Sequence, residues 1–376
     1  MMAVSADAAK YGGDAKFSYQ PSSAREGQYY LETGRSHFIG TDRNLLAEVR
    51  ARMPGAWLLP VMAQAVVVGF HLPDSLNISD LGLRIPREAL AHIFLGRIVR
   101  WSELAQWNNV SINPQLASVH ENISVVVRSD AAGVSEAFTS ALSSFSAEWN
   151  GTVGTNSKPD WPRADFCVDG DAGVAKNILF NPFSLGFVSQ AYAKLYGVKQ
   201  AVLSNRAGEY VRPTREAVQA AMEEFAPDFE DWLGDGSQIV GEDKQIFYMS
   251  ITDPSSAGAY PIPMFTYIGF NADHLRLRPE CQQLYNLMLM IQWGWSDPVA
   301  AEMATITDSV ILPPVIYRVL HKALMRITCA WTEAGVPANN GSIFERVLLD
   351  LEVAITGSGV SSPYVCATSV TRCNGR

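Results

Sequence analysis

The sequence holds no apolar run long enough to cross a bilayer. The longest candidate, Pro60 to Phe70, is too short and carries Gln64. Excess positive charge is also missing: the net charge is −9, with no cationic run and no RNA-binding signature, which excludes a nucleic-acid surface. An acidic balance does not exclude a small-anion ligand, because a buried site feels its nearby donors far more than net charge. Cysteine is scarce, and Cys167, Cys281, Cys329, Cys366 and Cys373 show no metal-binding spacing. Cys366 and Cys373 suit a bridge in an oxidising compartment, while buried or free thiols fit the pattern equally well. Asp165, Asp169 and Asp171 lack the loop and closing Glu of a calcium site. Gly357-Ser358-Gly359 lacks the spacing and context of a nucleophile elbow, and the six histidines are scattered. The expectation is a protein without metal, cofactor or catalytic centre. The first residues show no basic stretch followed by an apolar core, so no signal peptide is expected.

What is present is a globular composition: 376 residues, 48% hydrophobic and 18% charged, enough for two lobes with a large core. Strand-like and helix-like segments alternate, which predicts an α/β chain with mainly parallel sheets and no internal repeat. Short strands are expected at Phe17–Gln20 and His37–Asp42, and a long buried one at Leu58–Leu72. Helices are expected at Pro86–Phe94, Pro213–Phe225, Pro279–Trp295, Asp297–Thr305 and Val315–Trp331, with an acidic loop over 226–244. The expected division is 1–72 with 262–331 as one lobe, 73–261 as the other, and 332–376 as a tail. Five Asn-x-Ser/Thr triplets begin at Asn77, Asn109, Asn122, Asn150 and Asn340, as in a secreted glycoprotein.

One stretch carries chemistry. Ser124 to Arg128 reads as a buried strand, Ser129 to Gly133 as a polar turn, and Phe138, Leu142 and Phe145 recur at helical spacing. Strand, turn and helix start aim several backbone N–H groups at one point, where the helix dipole favours negative charge. Arg128 adds a fork of charged donors that Asp130 can hold in place. The stretch reads as an anion seat, or else as an ordinary turn whose Arg and Asp pair on the surface. Ser22, Ser23 and Asp42 also follow strand-like segments, and α/β sheets bind ligands at such strand ends.

At these residues the sequence resembles the phosphate-binding proteins that feed ABC-type phosphate transporters, within the type II periplasmic-binding-protein fold. The resemblance runs from about Ala6 to about Leu324. It rests on Phe17-Ser-Tyr-Gln-Pro-Ser-Ser23, Phe38 to Asp42, Ile93 to Trp101, Asn113-Pro114 and Ile123 to Asp130. Phe138 to Leu142, Trp149, Val153 to Thr155, Trp161-Pro162, Leu185 to Val188 and Ala191 to Ala193 extend it. It implies two lobes closing on one dehydrated phosphate, an extracytoplasmic location, and a partner in a membrane transporter or the rest of a larger receptor chain. Carried over by position, Ser22 or Ser23 would supply a hydroxyl and Asp42 would accept the hydrogen of protonated phosphate. Arg128 would be the clamp oriented by Asp130, and Gly133, Val134 and Ser135 would form the cradle.

Two departures bear on function. The family turn reads Asp-Gly-Ser-Gly-Thr, whereas this chain has Asp130-Ala131-Ala132-Gly133-Val134, without either hydroxyl. Hydrogen bonds to a charged partner contribute roughly 1.5–3 kcal/mol each, so two losses weaken binding by about a hundredfold to ten-thousandfold. The family's first strand and its donor loop are also expected to be missing. Two readings therefore stand: a phosphate or oxyanion binding module, for solute binding or sensing, and a structural or interaction domain that has lost tight binding.

Overall fold

The computed structural model describes residues 17–18, 20, 22, 24–233, 245–276, 281–331, 339–348 and 351. Six strands form the main path of one sheet: β1 (Phe38–Thr41), β2 (Ala56–His71), β3 (Ser124–Arg128), β4 (Phe166–Val168), β5 (Ser184–Ser189) and β6 (Pro263–Asn271). Their order in space is β1-β6-β2-β5-β3-β4. The sheet is mixed. β3 runs parallel to both β4 and β5, whereas β1, β6, β2 and β5 follow one another antiparallel.

β2 organises the molecule. Its 16 residues span about 50 Å at the usual strand rise. Ala56 to Ala65 pair with β6, and Val66 to His71 pair with β5, so the strand changes partners between Ala65 and Val66. There the returning chain is tied to it: the Val66 N–H donates to Ile262 O at 2.8 Å and the Tyr260 hydroxyl donates to Val66 O at 3.0 Å. One continuous strand thus serves both halves of an α/β molecule with two lobes, the class expected from the sequence.

The helices that matter for the site are α1 (Ala24–Glu32), α2 (Gly133–Phe145) and α3 (Gly170–Phe180); α4 (Gln282–Ser296) and α5 (Pro314–Leu324) pack farther along the chain. α2 buries Val134, Phe138, Ala141, Leu142 and Phe145 along one face, the spacing of an amphipathic helix. Phe138 stacks on Phe187 of β5 with centroids 4.2 Å apart and meets Phe94 edge-on at 4.8 Å. Burying one such ring contributes about 1.5–3 kcal/mol, so α2 is pinned to the sheet at its middle turn.

Several elements differ from the sequence expectation. Phe17, Ser18 and Gln20 pair in no strand. The acidic segment opens as a helix, Ala226–Leu233, before residues 234–244, which lie outside the described residues. The long helix expected over Val315–Trp331 ends at Leu324. Thr328–Trp331 is then a strand paired with Asn339–Ser342. A disulfide joins Cys281 to Cys329, with Cα atoms 6.2 Å apart, while Cys366 and Cys373 lie outside the described residues. Among the described residues no helix is long and apolar enough to cross a membrane.

Candidate functional site

Arg128 ends β3, and the parallel register places it beside Val168 at the end of β4. The loops leaving two parallel neighbours therefore emerge side by side. Arg128 Nε donates to Asp130 Oδ1 at 3.0 Å, a second bond joins its Nη2 to Asp130 Oδ2, and Nη1 donates to Asp171 Oδ1 at 2.8 Å. The Arg128 side chain is only 11% exposed and Asp171 is as enclosed, whereas Asp130 keeps one side towards solvent. Asp130 Oδ1 also accepts the Gly170 N–H at 3.1 Å, and Asp171 Oδ2 accepts the Ser189 hydroxyl at 2.7 Å. Trp161 donates its indole N–H to Arg128 O at 3.2 Å, fixing the strand end itself. Burial alone would raise the Asp130 carboxyl, but the Arg128 hydrogen bond and the Gly170 N–H carry it below its ordinary value.

α2 opens at Ala132, which is extended and offers no side-chain cap. Ala132 and Val134, at the positions of the two missing hydroxyls, are buried. The Val134 N–H donates to Asp42 Oδ2 at 3.3 Å. A Cβ on Gly133 would lie 2.0 Å from the Asp42 carbonyl oxygen and 2.7 Å from its carboxyl carbon, so only glycine fits that approach. Burial pushes the Asp42 carboxyl up; Arg128 pulls it down and Asp171 pushes it up again, with a net upward result. Ser135 Oγ is fully buried and has no hydrogen-bond partner. Such an orphan polar atom in a helix's first turn calls for an explanation.

The structure thus brings Asp42, Arg128, Asp130, Gly133, Val134 and Ser135 to one region. Ser22 sits on the exposed side of α1's start, its hydroxyl near the position a Gly27 side chain would take. Ser23 lies outside the described residues, and Arg25 is exposed.

Sequence reasoning missed three contributors. Asp171, set aside as a poor calcium ligand, is the second carboxylate on Arg128. Arg43 donates from Nη2 to Ser157 Oγ at 2.9 Å, and Ser157 O accepts the Ala132 N–H at 3.0 Å. Glu136 of α2 accepts the Tyr248 hydroxyl at 2.8 Å. Arg43 could have been found from its place directly after Asp42; the other two depend on tertiary neighbours. Beside Asp42 and Gly133 lies a cavity of about 50 Å³, also lined by Glu136, Ser140, Tyr248 and Thr252. Among the described residues no three metal-ligating side chains gather.

Residues 2–283 match the family described as PBP superfamily domain. The chain is 32% identical over 215 residues to the phosphate-binding protein PstS of Methanocaldococcus jannaschii, covering 56% of this chain and 52% of the relative. It is 26% identical over 298 residues to the PstS of Haemophilus influenzae, covering 79% and 81% of the two chains. The chain thus spans about half the length of the archaeal relative and four fifths of the bacterial one. A solved phosphate-binding protein from Stenotrophomonas maltophilia superposes with a TM-score of 0.60 at 18% identity, covering 85% of this chain and 91% of that one.

Proposed function

From the premise that the chain belongs to the PBP superfamily, we propose that it binds phosphate or a closely similar oxyanion, without catalysis, in the cleft between Asp42 and the start of α2. The observation that carries this reading is the enclosed Arg128 guanidinium, set beside a helix start whose cap makes no side-chain hydrogen bond. Those are the donors an anion needs, charged and dipolar, already paired against bulk water. The unpartnered Ser135 hydroxyl, next to Val134 in the same first turn, adds a donor for which the fold provides no acceptor. We place one lobe on 1–72 with 262–331 and the other on 73–261, sharing β2. The disulfide fits an oxidising, extracytoplasmic setting, and Asn77, Asn109, Asn122 and Asn150 are exposed for glycosylation. A membrane transporter or the remainder of a receptor chain is the partner such a module would serve.

A second reading has its own support. Asp130 and Asp171 already occupy Arg128. Two carboxylates on one guanidinium leave a net negative seat, which suits a structural or interaction domain that no longer binds tightly. Calorimetric titration separates the two. Phosphate binding that saturates, is absent with sulfate, and falls at least tenfold in Arg128→Ala supports the binding module. A folded protein giving no heat at millimolar phosphate leaves the scaffold reading.

A further inference from the structure

The helix start that would cradle an anion already holds one. We propose that Asp42 is the cleft's resident anion, an internal carboxylate that latches the two lobes together and that an incoming phosphate must displace. The proposal rests on the phosphate reading for its ligand but not for its latch.

Three independent contacts describe the latch. Asp42 Oδ2 accepts the Val134 N–H at 3.3 Å. The Asp42 backbone closes on Gly133 so tightly that a methyl group there would lie 2.0 Å from its carbonyl oxygen. The next residue, Arg43, reaches Ser157, whose carbonyl accepts the Ala132 N–H. Two consecutive residues of one lobe therefore hold both sides of α2's opening turn in the other.

There is no space for a phosphate between these partners as they stand. An ion hydrogen-bonded on one side to the amide and on the other to the carboxylate, at about 2.7–2.9 Å each, would separate them by several ångströms. The cavity alongside is about 50 Å³, room for a few waters. The groups around Asp42 pull in opposite directions: burial and Asp171 disfavour its charge, while Arg128 and the Val134 N–H favour it. Glu136, on α2, and Tyr248, from the segment returning to β6, complete the surroundings. An arriving phosphate meets Asp42, Asp171 and Glu136, with Arg128 and, tied to Ser157 at the edge of the same turn, Arg43 to offset them. The loss of the family's two hydroxyls leaves Val134 N–H free to take a carboxylate from within the chain.

If a latched state dominates, the apparent affinity falls by the fraction of molecules that are unlatched. Removing the internal anion then tightens phosphate binding. A residue that served only as a proton acceptor would weaken it when removed. The test uses Asp42→Ala, which deletes the acceptor, and Asp42→Asn, which keeps the shape and removes the charge. Each is titrated with inorganic phosphate and measured by small-angle scattering without phosphate. The expected result is a phosphate affinity at least tenfold tighter in Asp42→Ala, a smaller gain in Asp42→Asn, and a larger radius of gyration for both than for the unsubstituted chain. Equal or weaker binding in both variants, with unchanged scattering, overturns the latch. Expanded variants that still bind no phosphate keep the latch and remove the phosphate reading instead.

Discussion

A single methyl group at Gly133 decides whether the lobes can meet. The glycine is needed for space, because the obstacle is the Asp42 backbone rather than a movable side-chain end. Gly133→Ala is therefore expected to hold the cleft open. The variant should fold with near-normal stability, show an increased radius of gyration, and bind phosphate at least as tightly as the unsubstituted chain, because the approach it blocks is the one that leaves no room for the ion. A crystal structure of the variant with the lobes still closed would contradict this. Overpacking in that case costs typically 1–3 kcal/mol, which denaturant unfolding would register. That Arg128, Asp130, Asp42 and Gly133 come together was legible in the sequence, because each follows a strand-like segment. Asp171 was not, because its partnership with Arg128 arises only when β3 and β4 align in parallel.

His321 makes a second argument at this scale. It lies among Trp295, Tyr317 and Phe344, and its Nε2 is buried without a partner. Burial pushes its imidazole from the ordinary value down to about 4. Between that value and the ordinary 6.5 the unfolded chain takes up a proton that the folded chain refuses. Stability from this residue is therefore complete above about pH 6.5 and declines as pH falls towards 4, by about 3 kcal/mol in all. Urea unfolding at pH 7.5 and pH 5 should show the decline. His321→Phe should flatten that part of the profile, and an unchanged profile would count against the burial argument.

At the scale of elements, the region after α5 is where the sequence misleads. Apolar residues continue at helical spacing from Leu320 through Leu324 to Ile327, with no glycine or proline to mark a stop. The chain nevertheless turns into a strand at Thr328, where a partner strand and the tether at Cys329 override the local pattern. α2 and β3, by contrast, were legible because turn chemistry, apolar periodicity and buried-strand character agree along them. The disulfide closes a sequence separation of 48 residues and ties the start of α4 to that strand. A loop of this length predicts about 4 kcal/mol of stabilisation in the chain-entropy account. Cys281→Ser with Cys329→Ser should lower the unfolding midpoint accordingly. The strand pair 328–331 and 339–342 should be the first to lose hydrogen-exchange protection, ahead of β2 and β3.

For the whole molecule, the α/β class with two lobes was legible from the alternation of elements. The resemblance implies two crossover strands between the lobes, but which segment crosses was not legible from the residues, because an apolar run such as Leu58–Leu72 reads the same whether it serves one sheet half or both. Only the change of partner between Ala65 and Val66 reveals β2 as a shared strand. In the binding-module reading, a shared strand and a tied return at Tyr260 confine opening to a rotation about one place, resisted by whatever bridges the cleft. In the binding-module reading, phosphate replaces Asp42 as that bridge and stabilises the closed state by mass action. At a hundred times its dissociation constant the gain is about 2.7 kcal/mol, which for a chain of this size raises the melting temperature by a few degrees. Sulfate at the same ionic strength should leave the temperature unchanged, because without a hydrogen to share it meets the carboxylates lining the cleft, Glu136 among them, only as like charges. In the scaffold reading the bridge stays internal, and both salts act only through screening of the acidic surface. Equal shifts with phosphate and sulfate, persisting in Arg128→Ala, would therefore assign the cleft to structure rather than to ligand binding.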